Sequence, residues 1–204
     1  MEGSPIPTPE LPAPPASLDW PAVRAWRVRM RQALIGRRLG LDGALRRTRG
    51  ARARQRLLEA VDLSRFATLG VYWPVRGEID VLEIAAAHLA RGGRVALPVV
   101  VRPLAPVEFW SWRPGIPMSR GVWNIPIPAE REVLVPEALI VPLVGFDARC
   151  YRLGYGGGYY DRTIAAAARR PWCVGLGFEG GRLGSIFPQP HDIPMDLIVT
   201  DGAD

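Results

Sequence analysis

The residues Arg152, Leu153, Gly154, Tyr155, Gly156, Gly157, Gly158, Tyr159, Tyr160, Asp161 and Arg162 follow one another without interruption. Glycine at 154, 156 and 158 leaves backbone N–H groups unobstructed and permits the positive φ that a nest of amides needs. The stretch runs into a segment of helical character, where free N–H groups and the helix dipole favour an anion. Arg152 and Arg162 flank it with fixed positive charge. Together these features favour a phosphate cradle over a plain turn. Two familiar phosphate loops do not match. A Walker loop needs Lys after its last glycine, and here Tyr159 follows Gly158. The dinucleotide pattern G-x-G-x-x-G accepts Gly154 and Gly156 but meets Tyr159 in its third place. Glu179, at a later strand end, keeps a dinucleotide site open on spacing alone, although that fingerprint normally opens its fold and this loop comes late.

Carboxylates suited to a metal or a ligand lie in and outside the loop. Asp161 falls in the first turn of the expected helix. It either complements the dipole or holds a Mg²⁺ that bridges phosphates, since such sites often use one or two protein carboxylates. Asp192, beside His191 in PQPHDIPMD, is a second candidate ligand or a turn cap. Glu78, in YWPVRGEID, follows the first expected strand; it is placed to accept a ligand N–H or to cap the next helix. Trp73 and Trp110 could wall a flat heterocycle, and core packing is the simpler role for each.

These residues need a frame. Val23, Trp26, Met30, Leu34 and Leu41 recur at helical spacing, predicting a core-packed helix over about 19–40. Arg24, Arg27, Arg31 and Arg38 share a neighbouring arc of that helix. A second helix over about 44–62 follows LDG. Then strands alternate with helices: strand 67–75, helix 79–93, strand 94–101, an alternating edge strand 107–112, a Pro-rich stretch 113–136 without periodicity, and strand 138–146. The glycine loop, a helix from 159 to 170 and strands 172–178 and 196–200 complete the chain. This order implies a three-layer α/β/α fold with a mostly parallel central sheet and an N-terminal helical pair. In such sheets ligands bind outside the C-terminal ends of the strands. The loop would sit at such an end.

Composition bounds the rest. The chain has 204 residues and a formal charge of +6, and all 26 basic residues are Arg. A chain without Lys has no Schiff-base chemistry. Two cysteines without metal-like spacing read as reduced thiols of a cytoplasmic protein. No apolar run of about 18 residues exists, so no membrane span or membrane partner is expected. Residues 1–16 are Pro-rich and read as a disordered or extended arm before a single domain, 17–204. Twelve arginines between positions 24 and 56 raise a nucleic-acid-binding reading. The core-facing apolar stripe in the same segment, and the lack of an RNA-reading motif, argue against that reading.

The run LIVPLVGFDARCYRLGYGGGYYDR resembles the signature of the 5-formyltetrahydrofolate cyclo-ligase (5,10-methenyltetrahydrofolate synthetase) family. The resemblance extends to YWPVRGEID, GVWNIPIPAE and PQPHDIPMDLIVTD, covering roughly residues 20–202. It implies a Rossmann-like sheet of the NagB/RpiA/CoA-transferase type. It also implies an enzyme that uses ATP and Mg²⁺ to close 5-formyltetrahydrofolate to 5,10-methenyltetrahydrofolate, releasing ADP and phosphate. By position, the ATP-binding set is Arg27, Arg31 and the run Arg152, Leu153, Gly154, Tyr155, Gly156, Gly157, Gly158, Tyr159 and Tyr160. Arg152, Tyr160 and Asp161 are the implied catalytic residues. Asp161 and Asp192 would hold Mg²⁺, and Trp73, Glu78 and Tyr160 would bind the folate. Arg27 stands where the family usually has Lys. A cytoplasmic monomer is expected. The competing readings are a paralogue of the same fold with altered or lost activity and, behind it, the Arg-rich nucleic-acid module.

Overall fold

The structure, a computed structural model, describes residues 9–202. Residues 1–8 of the expected arm lie outside the described residues. Residues 9–16 carry no helix or strand. The Pro9 carbonyl accepts from Arg37 Nε at 2.6 Å, and Leu11 packs against the apolar cluster that includes Trp26 and Met30.

Two helices open the fold, α1 (Trp20–Gly40) and α2 (Gly43–Ala60). Each starts on an aspartate. Asp19 accepts from the Ala22 N–H, and Asp42 from those of Ala44 and Leu45, satisfying donors the first turn leaves free. Strands β1 (Thr68–Gly70), β2 (Arg94–Val99) and β3 (Glu108–Ser111) follow, with α3 (Leu82–Ala90) between β1 and β2. Next come β4 (Met118–Arg120), β5 (Pro126–Pro128), β6 (Val133–Leu134), β7 (Ala138–Pro142), β8 (Gly145–Phe146) and β9 (Arg152–Leu153). Helix α4 (Tyr159–Ala166), β10 (Trp172–Leu176) and β11 (Leu197–Val199) finish the chain.

The main sheet has the order β11-β10-β7-β1-β2-β3-β6. Its first five members run parallel, and β3 and β6 add antiparallel at one edge. The chain winds outward from β1 in one direction and from β7 in the other. The β1/β7 seam is therefore the topological switch point, where sheets of this kind bind ligands at the strands' C-terminal ends. Alternate residues of β7 serve opposite layers. Ala138 and Ile140 pack with Ala53, Leu57 and Ile84 of α2 and α3, whereas Leu139 and Val141 pack with Ile164 of α4. Burial on both faces explains why the parallel strands read as continuous apolar runs.

Several expected elements end differently. The strand expected at 138–146 is broken: β7 stops at Pro142, and β8 turns away to pair with β9. The strand expected at 67–75 pairs only to Gly70, because Trp73-Pro74 and the turn at Arg76 and Gly77, both at positive φ, lead the chain off the sheet. The helix expected at 79–93 begins after the Asp80 side chain captures the Leu82 N–H. The stretch 113–136 holds a small hairpin, β4–β5, and the edge strand β6.

Candidate active site at the switch point

The loop that follows β1 and the glycine loop that follows β9 meet above the β1/β7 seam. The join is direct: the Tyr155 hydroxyl donates to Glu78 Oε1 at 2.7 Å. Glu78 is further fixed by its own turn. Its Oε2 accepts from the Val75 N–H at 2.8 Å, and its N–H donates to the Val75 carbonyl at 3.0 Å. Withdrawal from solvent pushes the Glu78 carboxyl above its ordinary range, against the pull of these two donors and of the Arg38 and Arg76 charges.

Helix α1 supplies three guanidiniums, at positions 27, 31 and 38, separated by about one turn and about two turns along one side. Each holds a different segment. Arg31 Nε donates to the Gly154 carbonyl at 2.7 Å, and its guanidinium lies over Gly156, where a Cβ would stand 3.3 Å from Cζ. Gly156 has φ +96°, a backbone that favours glycine, and a Cβ there would press on the Arg31 guanidinium. Arg38 Nη2 donates to the Tyr155 oxygen at 2.5 Å. Arg27 is not brought to the glycine loop. Its buried fork donates to the carbonyls of Ile186 (3.0 Å) and Phe187 (2.9 Å) and to both Asp192 oxygens (3.3 and 2.6 Å).

The far end of the glycine loop enters α4 through Gly158, at φ 62°, with no side chain capping the first turn. The free N–H groups there are those a bound phosphate would accept from. Arg162 folds back along the loop and donates to the Gly157 carbonyl, and its guanidinium lies 5.2 Å from the Tyr159 ring. Arg152, buried on β9, pairs with Asp161 at 3.1 Å and donates to the Ile193 carbonyl at 2.9 Å. The Ile193 N–H donates in turn to Asp161 Oδ1 at 3.0 Å. Asp161 is thereby held against the segment that carries Asp192.

Burial pushes the Asp192 carboxyl upward. The Arg27 hydrogen bonds, the Gln189 N–H and the charges of Arg27 and His191 outweigh it, leaving Asp192 below its ordinary range. Asp161 and Asp192 are hard oxygen donors, as Mg²⁺ requires, and both face guanidiniums. Among the described residues no group of three or more His, Cys, Asp or Glu could hold a metal unaided. The donor set therefore fits a cation that takes most of its ligands from phosphates and water.

Trp73, on the same loop as Glu78, lines a cleft of about 310 Å³ with Met118, Ser119, Arg120 and Pro126. That volume reaches the lower end of small-molecule sites, about 300–1,000 Å³. Trp110 lies elsewhere, donating to Glu108 on its own strand. The Tyr160 hydroxyl is buried without a hydrogen-bond partner, with the Arg152 guanidinium 5.9 Å from its ring. Glu179, the carboxylate that kept a dinucleotide site open on spacing, is instead occupied with Arg182 and Thr200.

Two contributors escape the sequence argument. Arg38 stood in the basic arc of α1, but nothing local showed which arginines turn inward. Asp147 is buried in the β8–β9 turn, where it accepts from the N–H groups of Arg149 (3.0 Å), Tyr151 (3.3 Å) and Ile186 (3.1 Å). It joins that turn to the segment that Arg27 grips. Asp followed by Ala-Arg was the only available signal, and it is common to many turns.

A model of the 5-formyltetrahydrofolate cyclo-ligase family matches residues 23–201. The chain is 30% identical over 179 residues to the 5-formyltetrahydrofolate cyclo-ligase of Mycolicibacterium smegmatis, covering 84% of this chain and 91% of that one. With the enzyme of the same name from Escherichia coli K12 it shares 29% over 172 residues, 80% of this chain and 94% of the other. The solution structure of Aquifex aeolicus 5,10-methenyltetrahydrofolate synthetase superposes with a TM-score of 0.73 at 25% identity, covering 87% and 90% of the two chains. With its mostly parallel sheet, its N-terminal helical pair and its glycine loop at the switch point, this chain belongs to the 5-formyltetrahydrofolate cyclo-ligase family.

Proposed function

We propose that the protein uses ATP and Mg²⁺ to convert 5-formyltetrahydrofolate to 5,10-methenyltetrahydrofolate, with release of ADP and phosphate. The observation that carries this reading is the Tyr155–Glu78 hydrogen bond, which makes the phosphate-type loop and the folate-type carboxylate one site. In this reading the formyl oxygen attacks the γ-phosphorus and the bond to ADP breaks. N10 then attacks the activated formyl carbon and loses its proton, and the C–O bond breaks with phosphate as leaving group. An amide oxygen leaves poorly, and phosphorylation removes that obstacle. The protein's task is alignment and charge neutralisation.

The residue roles follow from placement. The loop from Arg152 to Tyr160, with Arg31 behind it and the open first turn of α4, receives the nucleotide phosphates. Arg27 serves the nucleotide site through Asp192, which it holds in place. Asp161 and Asp192 would hold Mg²⁺, which neutralises phosphate charge when bound. We assign Glu78 to the pterin N–H groups, Trp73 to a wall of the folate cleft, and the buried, unpartnered Tyr160 hydroxyl to the reacting substrate. Arg152 fixes Asp161 and Tyr160. The inward turn of Arg27, Arg31 and Arg38 takes three guanidiniums away from any nucleic-acid surface. Among the described residues no helix is long and apolar enough to cross a membrane; we place the enzyme in the cytoplasm as a monomer. Incubation with 5-formyltetrahydrofolate, ATP and Mg²⁺ tests the proposal. The methenyl chromophore is expected to appear only with all three present; its absence, or its appearance without ATP, overturns the reading.

A further inference from the structure

Arg38 and Tyr155 form a continuous polar connection from helix α1 through the glycine loop to Glu78. Arg38 is a buried guanidinium on α1. Its Nε donates to the Arg76 carbonyl at 3.0 Å, its Nη1 to the Leu143 carbonyl at 3.4 Å, and its Nη2 to the Tyr155 oxygen at 2.5 Å. It therefore touches the turn after β1, the chain leaving β7, and the glycine loop. Tyr155 passes the connection on, because its hydroxyl accepts from Arg38 and donates to Glu78. Two cations lie near the ring, the Arg38 and Arg76 guanidiniums being 5.9 and 5.7 Å from its centre. The Tyr155 backbone meanwhile belongs to the loop that Arg31 ties down one residue earlier, at Gly154.

We infer that Arg38 and Tyr155 are positioning residues that couple the two halves of the site, so that ordering the glycine loop around a nucleotide pre-orients Glu78 for folate. The inference rests on the functional reading above. The physical basis is shared ordering. A ligand that fixes the loop fixes the Tyr155 hydroxyl and with it Glu78 Oε1, so the second ligand meets a carboxylate already aimed and loses less freedom on binding. By linkage the effect is reciprocal: folate on Glu78 must tighten nucleotide binding by the same factor. A tyrosine that merely packed would leave the two affinities independent.

The test is a binding cycle on the full chain. Affinity for a non-hydrolysable ATP analogue with Mg²⁺ is measured by calorimetry with and without 5-formyltetrahydrofolate, in the wild type and in Tyr155→Phe. The Phe variant keeps the ring beside its two guanidiniums and removes only the hydroxyl. Wild type is expected to bind the analogue at least about 5-fold tighter when folate is present, the lower end of common coupling factors. In Tyr155→Phe the factor should fall below about 2-fold. Wild-type affinities that do not depend on the other ligand, or a coupling factor unchanged in Tyr155→Phe, overturn this inference alone. Failure of wild type to bind either ligand overturns the functional reading and this inference with it.

Discussion

Replacing Arg27 tests how the Asp192 segment is held. The Arg27 side chain is 5% exposed and that of Asp192 11%, so their ion pair is out of bulk water. Arg27→Ala removes two hydrogen bonds to the carboxylate and two to the Ile186 and Phe187 carbonyls. Removing one partner of a buried pair costs about 3–5 kcal/mol. Asp192 keeps the Gln189 N–H at 2.7 Å, which puts the expected loss at the low end, about 3 kcal/mol. Arg27→Lys keeps the charge, but a compact ammonium cannot reach two carbonyls and a carboxylate arranged around a planar fork, and about 1–2 kcal/mol should go. Urea unfolding at fixed slope measures both.

The pH dependence gives a second reading of the same pair. Asp192 is depressed in the native state, so its contribution is complete above the unfolded value of about 3.9 and is lost as pH falls through the lower folded value. Without Arg27, burial is opposed only by the Gln189 N–H and the His191 charge, so the carboxyl should rise and protonation should relieve the native state. The deficit of Arg27→Ala should therefore be largest at neutral pH and shrink on acidification. A deficit below about 1 kcal/mol at neutral pH, or one that grows on acidification, would refute the assignment of Arg27 as the clamp on Asp192.

Two further substitutions probe the loop. Gly156→Ala forces a Cβ into a left-handed backbone and against Arg31; about 1–2 kcal/mol of stability should be lost and KM for ATP should rise. Unchanged values of both would mean the loop readily adopts another shape. Tyr160→Phe removes a buried hydroxyl that has no partner in the fold, so urea unfolding should show stability kept or raised by about 1 kcal/mol while KM for folate rises. A stability loss of more than about 1 kcal/mol would show that the hydroxyl is used by the fold itself.

Much of this site is written in local pattern. The apolar stripe of α1 was legible because Val23, Trp26, Met30 and Leu34 are all buried at helical spacing. Only Leu41 falls outside, as the residue that ends the helix. The basic arc beside that stripe was equally legible, and three of its four members turn inward, while Arg24 faces solvent. Their partners were not. Arg31 reaches a carbonyl 123 residues away and Arg27 a carboxylate 165 away, and no window of sequence contains both ends of such a contact. The break after Pro142 was hidden for a related reason. Leu143, Val144 and Phe146 are as buried as the strand before them, so hydrophobicity runs on while the hydrogen bonding changes partner from β10 to β9. The β4–β5 hairpin was missed because strands of three residues are too short to show a period.

The central claim is that the site phosphorylates the formyl oxygen before N10 closes the ring, and isotope transfer tests it most directly. 5-Formyltetrahydrofolate carrying ¹⁸O in its formyl group is turned over by the wild-type protein with ATP and Mg²⁺, and the released phosphate is analysed by mass. One ¹⁸O is expected in each phosphate formed alongside the methenyl product. Methenyl product formed with unlabelled phosphate would contradict it, because the formyl oxygen would then have left by another route.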